Sequence, residues 1–331
     1  MPDHDENSLI NSIKPLCNWE KSLRFPLGIG DDAAVRVCQK GEQLVYTGDT
    51  LVENIDFRLD WVSLDSVGEK AIQVNASDCA AMGAVPDSAI VQIVFPKKSN
   101  PENDIQLLYC GIQKSCKRLD IPVLGGDLSA GPCWMISVTM TGRAGKSDRL
   151  LYRNGAMPGD KVWVTGTPGC SGAGLALLQE YSLIDLVPRG DSDLLNAHIS
   201  PMARIAEGRA LASEKAVHSM IDVSDGIAKE SVSIARASNC AIVLQLPHSL
   251  YLPELVHFCQ LKHKQPDHFA LYGGEDYELL FTAHADFDPA SIRVAASCIG
   301  TVVSGSGNVI LKNDEGVETA ITQDWFDHLR V

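Results

Sequence analysis

Apolar positions along the chain recur at two periods, and the change from one to the other marks the elements. Over Ser66–Met82, Val67, Ala71, Val74 and Cys79 share a helical face; over Asn103–Leu119, Ile105, Leu108, Ile112, Cys116 and Leu119 do the same behind Pro101. Around them lie short β-branched or aromatic runs, Gln43–Thr47, Ala89–Phe95, Ile121–Leu124 and Trp134–Gly142, which read as strands. The last two are expected to pair antiparallel through Ser129–Pro132. A glycine-rich and charged stretch from Arg143 to Asp160 follows, and the expected domain boundary falls there, between residues 148 and 149. Beyond it, strands at Lys161–Thr165, Met220–Val223, Ala241–Leu246, Tyr277–Thr282, Ser297–Val303 and Asn308–Leu311 alternate with helices at Leu175–Tyr181, Met202–Ser213, Gly226–Ser238 and Pro253–Leu261. The pattern predicts an α+β protein of two domains, 1–148 and 149–331, without a residue-level repeat.

Composition narrows the function. At 331 residues, 45% apolar and 21% charged, the chain has ample material for ordinary cores. Its 42 Asp and Glu against 28 Lys and Arg give a net charge of −14, without the basic footprint that nucleic acid or an anionic membrane surface requires. No apolar run approaches membrane-spanning length, and the opening MPDHDENSLINSIK lacks the layout of a signal peptide, so a cytoplasmic protein is expected. Ten scattered cysteines without CxxC read as reduced and mostly buried, and nine dispersed histidines without HExxH offer zinc no site.

Candidate chemistry lies in carboxylates beside glycine or other small residues: Gly30-Asp31-Asp32-Ala33, Gly48-Asp49-Thr50, Ser77-Asp78, Gly126-Asp127, Asp222-Val223-Ser224-Asp225-Gly226 and Gly273-Gly274-Glu275-Asp276. Singly, each reads as turn chemistry, and Asp78 as a solvated helix face. Together they read as ligand-binding loops at strand ends. Converging carboxylates need cations, and oxygen-only donors select hard ions. Mg²⁺ fits best, because it combines a few carboxylates with waters and phosphates, and it lets an acidic site hold a polyanion such as ATP. Arg153 is the candidate for direct charge contact with that polyanion. The loop Gly166–Gly174 lacks GK[ST] and reads as a structural turn or a ligand-facing loop, not a Walker A motif; kinase HRD and DFG signatures are absent. On periodicity alone, Tyr109 and Phe326 read as core residues.

In chain order, GIGDDAA (28–34), YTGDTLVENIDF (46–57), VNASDCAAMGA (74–84), VLGGDLS (123–129), RNGAMPGD (153–160), VTGTPGCSGAGL (164–175), IDVSDG (221–226) and YGGEDYELLF (272–281) resemble the thiamine-monophosphate kinase family. That family lies within the wider aminoimidazole ribonucleotide synthetase-like ATP-binding superfamily. The resemblance spans nearly the whole chain. It implies an N-terminal ATP- and Mg²⁺-binding domain that pairs in a homodimer, and a C-terminal domain completing the nucleotide and substrate site. The implied reaction moves the γ-phosphoryl group of ATP to thiamine monophosphate. Carried over by motif, Asp32, Thr47, Asp49, Asp78, Asp127, Asp222 and Asp225 are the implied ligands of several Mg²⁺ ions. Tyr109, Gly126, Asp127, Arg153 and Ser224 match ATP contacts, and Asp56, Glu275 and Phe326 match contacts to the thiamine part. Asp49, Asp127 and Arg153 are the expected catalytic set. The chain departs from the family at Asn54–Phe57, where a GVHF-like segment with His is usual, at Gly48, at Cys170 and at Phe326. Two other readings stay open: an ATP-dependent ligase or synthetase of the same superfamily, and a non-catalytic nucleotide- or metal-binding protein.

Overall fold

A computed structural model describes residues 6–28, 34–97, 101–180 and 192–321. The chain divides into two compact units, Met1–Cys79 with Ala84–Ser147, and Ala80–Gly83 with Asp148–Val331.

The N-terminal unit contains α1 (Glu6–Ile13), β1 (Gln43–Val52), α2 (Leu64–Ala81), β2 (Val85–Pro96), α3 (Pro101–Leu119), β3 (Val123–Gly131) and β4 (Met135–Ala144). Its strands form one sheet in the order β1-β4-β2-β3, antiparallel except for the β2–β3 pair. The parallel pair follows from chemistry. A parallel connection needs a crossover of a dozen residues or more, and α3 supplies it. Trp134–Gly142, expected beside Ile121–Leu124, instead pairs with both β1 and β2. The apolar rows explain the choice: Ile136, Val138 and Met140 align with Ile93, Val91 and Ala89 of β2, all buried, whereas β3 reads VLGGDLSAG and has little apolar surface to match them. Alternation along β4 leaves Thr139 exposed between buried Val138 and Met140, so one sheet face is core and the other is open.

Close helix packing fixes the covered side. α2 and α3 approach through two glycines: a Cβ on Gly68 would sit 2.1 Å from the Leu108 carbonyl oxygen, and one on Gly111 only 1.7 Å from that of Asp65. Lys114 then bridges Asp65 at 2.9 Å and Glu69 at 3.2 Å on the exposed side of the same contact.

The C-terminal unit follows as β5 (Lys161–Thr165), α4 (Cys170–Glu180), α5 (Ser192–Ile199), α6 (Ile205–Ser213), β6 (Val217–Asp222), α7 (Ile227–Ser238), β7 (Ala241–Leu244), α8 (Pro253–Lys262), α9 (Pro266–Tyr272), β8 (Leu279–Ala283), β9 (Ala296–Val303), β10 (Val309–Lys312) and β11 (Glu318–Ala320). Seven strands form a mixed sheet ordered β11-β10-β7-β9-β5-β8-β6. β8, with every residue buried, lies inside it, and Leu279 and Phe281 join Leu151, Leu211, Val217 and Met220 in a core cluster. The α+β class expected from the pattern is the observed one, with two sheets, each in its own unit.

The Gly111 contact has a measurable consequence. Gly111→Ala should lower stability by about 1–3 kcal/mol in urea unfolding, because backbone lies where the methyl would go. Gly125→Ala, whose Cβ would meet nothing within 4 Å, should shift stability by no more than about 0.5 kcal/mol.

Candidate active site

In the N-terminal unit, the strand β1 and the helix α2 bring three of the expected ligands together. The Thr47 hydroxyl donates to Asp78, and Asp49 lies close enough to Asp78 to feel its charge. Asn75, fully buried one turn before Asp78, accepts from the Asp49 backbone N–H at 3.1 Å and donates to the Ala71 carbonyl at 2.9 Å, which pins strand to helix. Asp49 keeps a solvent-exposed face. The protein around its carboxylate, with the negative charges of Asp78 and Asp56, pushes it up to about 6. Asp56 itself accepts from the Val52 N–H at 2.8 Å, closing the turn that follows β1.

In the C-terminal unit, β6 ends at buried Asp222, and Val223–Gly226 leads into α7. The Ser224 carbonyl accepts from the Glu275 N–H at 2.7 Å, and Val223 exchanges backbone bonds with Tyr277 at 2.9 Å and Glu278 at 2.7 Å, so the IDVSDG and GGEDYEL motifs form one docked pair of segments. Asp225 is paired with Lys229 one turn along α7. Buried Glu230 accepts from the Asp225 N–H at 3.3 Å, and the Ser224 hydroxyl lies 3.5 Å away. Burial, reinforced by the charges of Asp222 and Asp225, pushes Glu230 up to about 8. Asp276 accepts from the Gly169 and Ser171 N–H groups at 2.8 and 3.2 Å, so it caps the start of α4. Glu278 is held by Arg204, with Nε at 2.7 Å, and by the Thr165 hydroxyl at 2.6 Å.

Other expected residues lie apart. The GGD motif was expected to end a strand, but β3 runs through it. Gly126 faces the Val91 carbonyl, where a Cβ would come within 1.8 Å, so side-chain absence is required there. Asp127 belongs to the row Thr50–Ser137–Gln92–Asp127, out of phase with the Asp49–Val138–Val91 row, and accepts from the Ser129 hydroxyl at 3.0 Å. Its carboxylate is therefore not part of the Asp49–Asp78 group. Tyr109, 2% exposed on α3, is a core residue, and burial beside Cys17 and Cys116 pushes its phenol up. Arg153 is exposed; its carbonyl accepts from Ser238, the last residue of α7. The 12 residues of α7 at a rise of about 1.5 Å put it roughly 18 Å from the Asp225 end. Asp32 and Phe326 lie outside the described residues. Sequence reading missed Asn75, Glu230 and Arg204, each of which holds an expected ligand or its neighbour in place.

The donor set fits magnesium. Among the described residues, no three Asp, Glu, His or Cys side chains converge as a closed metal cage. The two groups instead offer hydroxyl and carboxylate oxygens in small numbers, which suits an ion that retains waters and takes further oxygens from phosphate.

The comparisons agree with this architecture. The family model described as AIR synthase related protein, N-terminal domain, matches residues 30–144, and its C-terminal counterpart matches 157–312. The fold is thus that of the AIR synthase related proteins. The thiamine-monophosphate kinase of Bacillus subtilis (strain 168) is 34% identical over 322 residues, 94% of this chain and 95% of that protein. The crystal structure of thiamine-monophosphate kinase from Stenotrophomonas maltophilia K279a superposes with TM-score 0.77 at 32% identity, covering 92% of this chain and 95% of that one. A structure described as AaThiL complexed with AMPPCP and TMP gives TM-score 0.73 at 31% identity over 96% of this chain and 97% of its own. Within the AIR synthase related proteins, this chain belongs to the thiamine-monophosphate kinase family.

The environment of Glu230 generates a stability prediction. Its folded pKa is raised above the ordinary 4.5, so between about pH 4.5 and 8 the unfolded chain releases a proton that the folded chain retains, and stability falls as pH rises. In EDTA, Glu230→Gln, which keeps the acceptor oxygen, should therefore stabilise the protein by roughly 2–4 kcal/mol at pH 8 and by almost nothing at pH 4.5. Urea melts at both values test this, and an equal effect at the two would contradict it.

Proposed function

We propose that this protein transfers the γ-phosphoryl group of ATP to the phosphate of thiamine monophosphate, giving thiamine diphosphate and ADP, the last step of thiamine diphosphate biosynthesis. The observation that carries this reading is the Thr47–Asp49–Asp78 group, oxygen donors clustered by a strand and a helix in a chain that matches this kinase family nearly end to end.

The acceptor explains why no Ser-His pair or other activated nucleophile is needed. A phosphate monoester with a second pKa near 6 is mostly dianionic at neutral pH and is already a nucleophile. The difficulty is bringing two anions together in line, so the work is positioning and charge neutralisation. Bound Mg²⁺ supplies the neutralising charge. Thr47, Asp49 and Asp78 would hold it in one unit and Asp222 and Asp225 in the other, with Asp32 and Asp127 as further ligands. Gly126 offers ATP close backbone approach, and Ser224 a hydroxyl beside Asp225. Arg153 would meet ATP from the Ser238 end of its unit, and Tyr109 would act only as packing beneath the site. Glu275 and Phe326 would contact the thiamine part, while Asp56 is committed to its own turn and contributes charge near Asp49. Transfer is direct, without a phosphoenzyme.

We also place a homodimer contact on the open face of the four-stranded sheet. Tyr46, 68% exposed, and Ile90, 39% exposed, project from that face, in register rows that meet β4 at Thr141 and Thr139. A cytoplasmic setting is in keeping with ten free cysteines. No helix among the described residues is long and apolar enough to cross a membrane.

Incubation with ATP, Mg²⁺ and thiamine monophosphate, read as thiochrome fluorescence, should show thiamine diphosphate forming in step with ADP. ATP bound without turnover would refute the kinase reading. Asp49→Asn and Asp78→Asn should each lower kcat by at least about 10²-fold with unchanged circular dichroism. Radiolabel from [γ-³²P]ATP should not remain on denatured protein. Ile90→Asp should shift sedimentation from dimer to monomer, and an unchanged dimer would rule out that face.

A further inference from the structure

We infer that His198 is a positioning residue for substrate selectivity, orienting the Glu275 carboxylate; the inference rests on Glu275 contacting the thiamine part. Glu275 occupies an unusual backbone site. Its φ is +56° and that of Tyr277 is +50°, left-handed values that side chains adopt only when the surroundings impose them. The surroundings here are specific. Asp276 is fixed by the amides at the start of α4, and Glu278 by Arg204 and Thr165. The Glu275 carboxylate is met by the buried imidazole of His198, with Nδ1 3.2 Å from Oε2.

The same Nδ1 lies 3.2 Å from the Ser171 hydroxyl. A carboxylate can only accept, so the contact requires the proton on Nδ1, and the Ser171 hydroxyl can then only share that N–H as a second acceptor. His198 is 7% exposed and Glu275 is 27% exposed at the side chain. One side of the carboxylate is thus set by a buried ring on α5, and the other meets solvent. That arrangement suits a cationic heteroaromatic amine, which the carboxylate can pair with and accept from. Losing the imidazole would leave Glu275 chemically intact but without the buried ring that sets one side of its carboxylate. Substrate affinity should then fall, with phosphoryl transfer and ATP binding unaffected.

The test is steady-state kinetics on full-length protein for His198→Ala, His198→Asn, Glu275→Gln and the His198→Ala/Glu275→Gln double variant. His198→Ala should raise KM for thiamine monophosphate about tenfold, with kcat within about twofold and KM for ATP unchanged. His198→Asn, whose amide N–H can take the place of Nδ1–H, should restore most of the loss. The double variant should be no worse than Glu275→Gln alone. If Glu275→Gln raises this KM but His198→Ala does not, or if the two effects add, the role of His198 is overturned while the substrate assignment stands. If Glu275→Gln leaves the KM unchanged, both fall together. A joint loss of kcat, ATP affinity and melting temperature in His198→Ala, unrescued by Asn, would show a merely structural histidine and also overturn the inference.

Discussion

Asp49 and Asp78 stand on elements that cannot separate. β1 is hydrogen-bonded along its length to β4, α2 is packed against α3 at backbone contact, and Asn75 ties the strand to the helix. Two carboxylates held this way cannot relieve their repulsion by moving, so the relief must come from a proton or a cation. Burial first, and then the charge of Asp78, pushes Asp49 up to about 6, and a divalent ion is the partner that lets both carboxylates stay charged. Much of the unit serves this constraint. The strand rows that alternate with the open face and the buried Asn75 keep the donors fixed against α2.

The C-terminal unit handles its negative charge differently. Along 275–278 each carboxylate has its own donor: His198 for Glu275, helix amides for Asp276, Arg204 for Glu278. Among the described residues the Asp222–Asp225–Glu230 group is crowded, and there Lys229 offsets one charge while Glu230 is pushed toward its neutral form. The first set shapes its segment through one donor apiece; the second concentrates three acids around a single lysine. Asp276 and Glu278 thus serve the scaffold, whereas Glu275, held by His198 on one side, keeps a face toward solvent.

Helical periodicity was enough to locate α2, α3 and α7, because their apolar stripes are long and regular. The short helices α1, α5 and α9 span eight, eight and seven residues, too few for a period to stand out. Strand order was not legible, since the neighbour of β4 depends on which distant row offers matching apolar surface, and the hairpin-like spacing to β3 misled. Gly48-Asp49 and Gly126-Asp127 looked like turns, yet both lie inside strands whose partners supply the missing bulk. The metal-type carboxylates were visible through their small neighbours. Their supports were not: a buried Asn, Glu or His in a helix carries no local mark that it reaches another segment.

The raised carboxylates bear on mechanism through what they do not do. Perturbed acids in a cleft invite assignment as general bases. Asp276 is also pushed up to about 8, but its oxygens are taken by the α4 amides, so it is a cap. Glu230 has Asp225 N–H on one oxygen and sits behind the loop it supports. Neither is presented as a base, and a dianionic phosphate acceptor has no proton that must be removed at neutral pH. The raised pKa values record first the cost of burying these acids and only then the charge of their neighbours, and the chemistry that remains for this site is the ordering of anions by cations.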